Sequence, residues 1–230
     1  MNVLFLENSY LKEFETKIIG INNDSIILEE TAFYSKSGGQ PGDIGKLIVN
    51  EKQINILNTS YDDNKNILHI CESTKELKVG NLVKGIINWD QRYKHMRMHT
   101  ALHLLCSIIP YDVTGGQITS EKSRLDFNAE NKINKDEIQN KIQLLISQDH
   151  KVSYQWISSK DLDDQPELIR TMSVKPPRTN NKIRLVKIGN VDLQPCGGTH
   201  VKSTKEIGNI IIGKVENKGK INKRVNLLFG

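Results

Sequence analysis

Three histidines, His95, His99 and His103, recur every four residues in the stretch from Arg92 to Ile109. On a helix, residues four apart share a face, so either adjacent pair can chelate a metal ion from one rigid element. A second group lies far along the chain, Cys196-Gly-Gly-Thr-His200, preceded by Pro195. Glycines between the cysteine and the histidine let the backbone fold tightly, so that a thiolate and an imidazole can converge on one ion. Two imidazoles from the helix with the thiolate and imidazole of the loop make a tetrahedral, borderline-soft set suited to Zn²⁺. Cys106 follows His103 by three residues among Leu104, Leu105, Ile108 and Ile109, and is expected to be a small buried hydrophobe; Cys71 is expected to be structural. A third element runs TAFYSKSGGQPGD from Thr31 to Asp43. Gly38 and Gly39 can bring backbone amides close to a ligand, and Gln40 offers both a donor and an acceptor. No Lys-Ser/Thr pair follows, so this is not a Walker loop and nucleotide hydrolysis has no support.

These groups need elements to hold them. Residues 1–88 read as β structure. Short β-branched runs at Lys17–Asn22 and Ser25–Glu30 are joined through Asn22-Asn23-Asp24, which is hairpin chemistry, and further strands are predicted at Leu47–Asn50, Ile54–Asn58, Ile67–Cys71 and Leu82–Asn88. The pattern changes at Trp89. Asp90 is the predicted N-cap of a helix over Arg92–Ile109 that Pro110 stops, and Asn134 with Glu137 resembles a capping box opening a second helix to about Gln148. Strands are then predicted at Val152–Ile157, Ile183–Ile188, Asn209–Val215 and Arg224–Phe229. The expected fold class is α+β: a small β-barrel-like domain at 1–88 bearing the glycine motif, then an α+β domain with an antiparallel sheet at 89–230.

The 230 residues carry 32 Lys+Arg against 27 Asp+Glu, a formal +5, and 37% are hydrophobic. A chain this apolar can bury a core, which excludes a disordered polycation. The charge is uneven. Residues 1–88 hold nine lysines and no arginine against twelve acidic residues, a net −3, and residues 89–230 hold the remaining +8. From Arg170 to Gly230, thirteen basic residues face three acidic ones. Such an excess can hold a polyanion by displacing its counterions; the alternative is a solvated face. Three dispersed cysteines argue against a disulfide framework, no apolar run approaches the ~20 residues of a membrane helix, and the start meets charge too early for a signal peptide. A cytosolic protein is expected.

Together and in this order, the three elements resemble the AlaX family of free-standing alanyl-tRNA editing proteins and the related editing domain of alanyl-tRNA synthetase. The stretches that carry the resemblance are FYSKSGGQPGDIG at Phe33–Gly45, WDQRYKHMRMHTALHLL at Trp89–Leu105, VDLQPCGGTHVKSTKEIG at Val191–Gly208 and KGKINKR at Lys218–Arg224. The family's usual GGGQ reads Ser37-Gly38-Gly39-Gln40 here. The resemblance implies the medium-length class and one Zn²⁺ per chain on His99, His103, Cys196 and His200, with His95 a neighbour of the site. It implies catalytic-site roles for Thr31 and Gln40, and substrate contacts from Thr31, Gly38, Gly39, Gln40, Lys218, Lys220 and Arg224. The implied reaction is hydrolysis of the ester that joins serine or glycine wrongly to alanine tRNA, in the cytoplasm, by a monomer or weak homodimer with no membrane partner. Physical chemistry explains the need, since a synthetase pocket sized for a methyl group cannot strongly exclude glycine and rejects one added hydroxyl only about 10²-fold. The rival readings are threonyl-tRNA synthetase-like editing of seryl-tRNA, a zinc-dependent hydrolase of small esters, and a non-catalytic zinc module that binds RNA.

Overall fold

In the segment Glu13–Ile21, Phe14, Thr16 and Ile18 are buried while Glu13, Glu15 and Lys17 face out, the period of two that a half-buried strand requires. The same alternation recurs along the first ninety residues, and there it closes a barrel. The computed structural model describes residues 2–172 and 182–230. The chain divides into two compact units, Met1–Tyr93 and Lys94–Gly230.

The first unit contains β1 (Asn2–Val3), β2 (Glu13–Ile21), β3 (Ser25–Leu28), β4 (Glu30–Thr31), β5 (Gly45–Val49), β6 (Lys52–Tyr61), β7 (Ile67–Cys71) and β8 (Leu82–Ile87). Six of them close in the order β2-β3-β7-β6-β5-β8, every pair antiparallel, and β1 pairs with β4 as a separate parallel ribbon. Closure removes the sheet edges. The interior is filled by residues such as Ile18, Ile26, Leu28, Phe33, Leu47, Ile56 and Val83.

One buried polar group sits among them. Nδ1 of His69 lies 3.3 Å from the Ile26 carbonyl, to which it donates, leaving Nε2 to accept the Thr31 hydroxyl at 2.8 Å. Thr31 Oγ1 in turn accepts the Phe33 N–H at 3.1 Å. Burial pushes the His69 imidazole down from 6.5 to about 4. The unfolded chain therefore takes up this proton first as the pH falls. The stability from the neutral ring is fully present above pH 6.5 and is lost progressively between 6.5 and 4, a loss on the order of 3 kcal/mol. Denaturant unfolding at pH 7 and pH 4.5 is expected to show this drop in the wild type and a shallower one in His69→Gln; equal slopes would remove His69 as its source.

The second unit carries α1 (Trp89–Ile108), whose first turn belongs to the barrel unit, then β9 (Val113–Gln117), β10 (Lys122–Asn128), α2 (Lys135–Ser147), β11 (Val152–Ser158), α3 (Ser159–Asp163), β12 (Lys182–Ile188), β13 (Asp192–Pro195), β14 (Ile210–Asn217) and β15 (Asn222–Phe229). They form two antiparallel sheets, β14-β15-β10-β9 and β11-β12-β13. This is the α+β architecture expected from the sequence. Along α1 every residue from Met98 to Cys106 is buried, so over that stretch it is a core helix with no solvent face. Against the edge strand β14, α2 sets two side-chain amides: Gln139 Nε2 donates to the Ile210 carbonyl at 2.8 Å and its Oε1 accepts the Ile212 N–H at 2.7 Å, while Gln143 Nε2 reaches the same carbonyl at 2.6 Å.

Two local expectations are corrected. The cap of α1 is Asn88, whose Oδ1 accepts the Gln91 N–H at 3.2 Å; Asp90 lies inside the first turn, where its charge complements the helix dipole. Asn134 caps α2 by accepting from the N–H groups of Asp136 and Glu137, but the Glu137 carboxylate turns to Lys141 at 2.5 Å. No helix among the described residues is long and apolar enough to cross a membrane.

Candidate metal centre

Helix α1 places His99 and His103 one turn apart, and the loop after β13 carries Cys196 and His200. Their ligand atoms all lie within 4.8 Å of one another. Cys196 Sγ is 3.5 Å from His99 Nε2 and 3.4 Å from His200 Nε2. Around a tetrahedral ion with ligand bonds of roughly 2.0–2.3 Å, donor atoms stand roughly 3.3–3.8 Å apart, so these separations suit a shared zinc-sized cation. The sequence left two HxxxH pairs open, and the geometry gathers the second. His95 is buried but is not part of the group.

Hydrogen bonds select which ring nitrogen is available. Thr100 Oγ1 gives its proton to the Met96 carbonyl at 2.9 Å, so at 3.1 Å from His200 Nδ1 it accepts, which leaves Nε2 of His200 with its lone pair. In His103, Nδ1 donates to the Asp192 carboxylate at 3.0 Å, so Nε2 is the nitrogen left for a cation. Burial opposes charge on the Cys196 sulfur, yet the imidazoles of His99, His200 and His103 hold it well below the thiol range. His200 is pushed well below its ordinary range by burial and the neighbouring His99. Burial lowers His103 too, but Asp192 and Cys196 outweigh it and raise the group to about 10. The donor set is therefore a thiolate among three histidine rings.

The loop itself is held from below. Arg184 on β12 is buried, donates through Nη1 to the carbonyls of Cys196 (3.0 Å) and Gly198 (2.8 Å), and stacks 3.7 Å from the centre of the Tyr154 ring. The Gly198 N–H points at Cys196 Sγ from 3.3 Å. Thr100, Arg184 and Asp192 carry no spacing signal in the sequence. Asp192 and Arg184 lie 89 and 81 positions from His103, and only the packing of β12 and β13 brings them in. Cys106 and Cys71 are buried thiols, each pushed up to about 12 with burial as the main cause.

In the barrel unit, the glycine motif folds as a two-residue turn. Ser37 and Gln40 exchange backbone hydrogen bonds at 3.2 and 2.8 Å, and Gly38 and Gly39 between them take φ of +53° and +82°. That conformation suits glycine at both central places. Ser37 stands outside it, so serine is accommodated where the family usually has glycine, and its Oγ lies 2.7 Å from the Tyr34 hydroxyl. A Cβ at Gly42 would collide with the Thr59 carbonyl. Asp43 closes the motif: it accepts the Tyr34 N–H at 2.7 Å and a bidentate bond from the buried Arg92 guanidinium, which also donates to the carbonyls of Ser9 and Ala32. Gly38 and Gly39 are exposed, whereas Gln40 and Thr31 are buried.

The basic segment is less free than its charge suggests. Arg224 is bound through Nε and Nη2 to the two oxygens of Asp126 at 2.7 and 2.9 Å, and Lys218 pairs with Glu216 at 2.8 Å. Lys220 lies exposed in the turn between β14 and β15, and buried Lys223 donates to its carbonyl at 3.2 Å. Lys175 and Arg178 lie outside the described residues.

Residues 3–91 match the family described as tRNA synthetases class II (A), and residues 183–226 match the threonyl and alanyl tRNA synthetase second additional domain. Barrel and metal-loop region alike are thus similar to segments of aminoacyl-tRNA synthetases. The chain is 38% identical to the alanyl-tRNA editing protein AlaX-M of Saccharolobus solfataricus, with 96% of each chain covered. It is 36% identical to the AlaX-M protein of Methanosarcina acetivorans over 97% of this chain and 96% of that one. It is also 34% identical to the alanine–tRNA ligase of Pyrococcus abyssi, over 93% of this chain and 24% of the ligase. The chain belongs to the AlaX family of alanyl-tRNA editing proteins.

Proposed function

We propose that this protein is an aminoacyl-tRNA hydrolase that cleaves the ester between a mis-attached serine or glycine and the 3′-terminal ribose of alanine tRNA. The observation that carries the reading is the convergence of His99, His103, Cys196 and His200 in a chain of this family. The donor set fits Zn²⁺, and these four side chains would hold it. When bound, such an ion supplies Lewis acidity at the ester or, with four protein donors filling a tetrahedral shell, a fixed positive point that positions it.

The residues of the chain divide the remaining work. The exposed backbone of Gly38 and Gly39 offers polar groups to the substrate, and Gln40 orients a water or the acyl group through its amide but cannot deprotonate one. Thr31 supplies the hydroxyl that distinguishes serine from alanine, because a site built to hydrogen-bond a substrate hydroxyl leaves a polar group unpaired when alanine takes its place. Lys220, exposed in its hairpin turn, is the basic-segment contact best placed for phosphate, with Lys218 and Arg224 supporting the local field. The protein acts as a monomer or weak homodimer.

The experiment follows release of each amino acid from seryl-, glycyl- and alanyl-tRNA carrying alanine identity, with and without a chelator. Rapid loss of serine or glycine, slow loss of alanine and suppression by the chelator are expected. Binding of tRNA with no release of amino acid would favour the non-catalytic RNA module, and equal hydrolysis of free amino-acid esters would favour a small-ester hydrolase.

A further inference from the structure

Among the groups around the four-donor cluster, the Asp192 carboxylate meets one of the donor rings from behind. It lies 3.0 Å from His103 Nδ1, and the two side chains are each 6% exposed. A carboxylate can only accept, so Nδ1 donates to it and Nε2 is the nitrogen left for a metal ion. The carboxylate is itself held: Gln194 Nε2 donates to Oδ1 and Oδ2 at 3.1 and 2.9 Å. Asp192 and Gln194 both lie on β13, the strand that runs directly into Cys196.

Burial makes the charge balance matter. A divalent cation and one thiolate leave a net +1 in a site where His99, His103 and His200 are all at least nine-tenths buried. Uncompensated charge is costly there, and one further carboxylate brings the sum to zero. A histidine that ligates a metal characteristically donates its other ring N–H to a carboxylate, a backbone carbonyl or a water.

We propose that Asp192 is a positioning residue of the metal centre, which locks the orientation and tautomer of His103 and supplies the second negative charge that neutralises a divalent ion on His99, His103, Cys196 and His200. The assignment rests on the metal reading above. Its test uses the full chain as wild type, Asp192→Asn and Asp192→Ala. Zinc affinity is measured by competition with a chromogenic chelator, and the ligand field by the visible absorption of the Co²⁺-substituted proteins. Asp192→Ala is expected to bind zinc about 10–100-fold more weakly and to shift the Co²⁺ bands. Asp192→Asn keeps an acceptor for Nδ1–H and loses only the charge, so it falls between the two; being nearly isosteric, it also serves if the alanine variant fails to fold. Wild-type affinity and an unchanged Co²⁺ spectrum in both variants would overturn the assignment while leaving the metal centre standing. A wild-type chain that binds neither ion would overturn the metal reading and this assignment with it.

Discussion

Replacing Cys196 by alanine is expected to abolish stoichiometric zinc and ester hydrolysis together. Cys196 is the anionic donor of the set, and its sulfur sits 3.4–3.5 Å from two imidazole nitrogens. Without it three neutral rings remain to hold a divalent ion in a buried place. Loss of an outer-shell partner alone lowers metal affinity or activity about 10–100-fold, so loss of the ligand should exceed 100-fold in both. Metal content by mass spectrometry under native conditions and release of serine from seryl-tRNA measure the two losses on one preparation. Metal-free Cys196→Ala with full activity would remove the ion from the reaction. The backbone need not collapse with the ligand, because Arg184 binds the loop through the carbonyls of Cys196 and Gly198 and not through the sulfur.

The second large effect is expected at Thr31. Its hydroxyl donates to His69 and accepts from the Phe33 N–H, so Thr31→Val leaves two buried groups unpaired. Each orphan costs about 1–3 kcal/mol, and the barrel should lose stability accordingly. The same hydroxyl is the proposed reader of serine. Loss of one hydrogen bond of about 1.4 kcal/mol lowers the ratio of seryl to alanyl hydrolysis about tenfold. That ratio does not depend on the folded fraction, and it separates the two roles. Thr31→Ser, which keeps the hydroxyl, should preserve both stability and selectivity. A folded Thr31→Val with an unchanged ratio would leave Thr31 as a brace of the barrel alone.

Much of this was legible in the chain because periodicity and ligand spacing are local properties. The barrel strands announce themselves by alternation, and α1 by an unbroken run ended at Pro110. What stayed hidden depends on partners distant in sequence. β9, Val-Thr-Gly-Gly-Gln, has no strand signature and is extended because β10 pairs with it. β10 itself carries Arg124 and Asp126 on alternate positions and reads as polar; the Arg224–Asp126 bond from β15 satisfies it. At the metal centre types and spacing pointed to Cys196 and His200 and left two HxxxH pairs open, which the family resemblance narrowed to His99 and His103, whereas Thr100 and Asp192 gave no signal, since a hydrogen bond to the far side of a ring leaves no trace in order along the chain. Charge was the least reliable guide. The basic excess after Arg170 includes residues whose charge carboxylates within the same unit already oppose.

The glutamine pair on α2 has a bearing on how copies of this protein coexist. Strand β14 opens with three consecutive isoleucines at the edge of its sheet, and Ile211 there is 45% exposed. A bare apolar edge of that kind is a template for strand addition by a neighbouring chain. Gln139 and Gln143 occupy the Ile210 carbonyl and the Ile212 N–H with side-chain amides, so the ladder is already complete at that point. Resistance to edge-to-edge aggregation is thereby built from two uncharged side chains on the neighbouring helix.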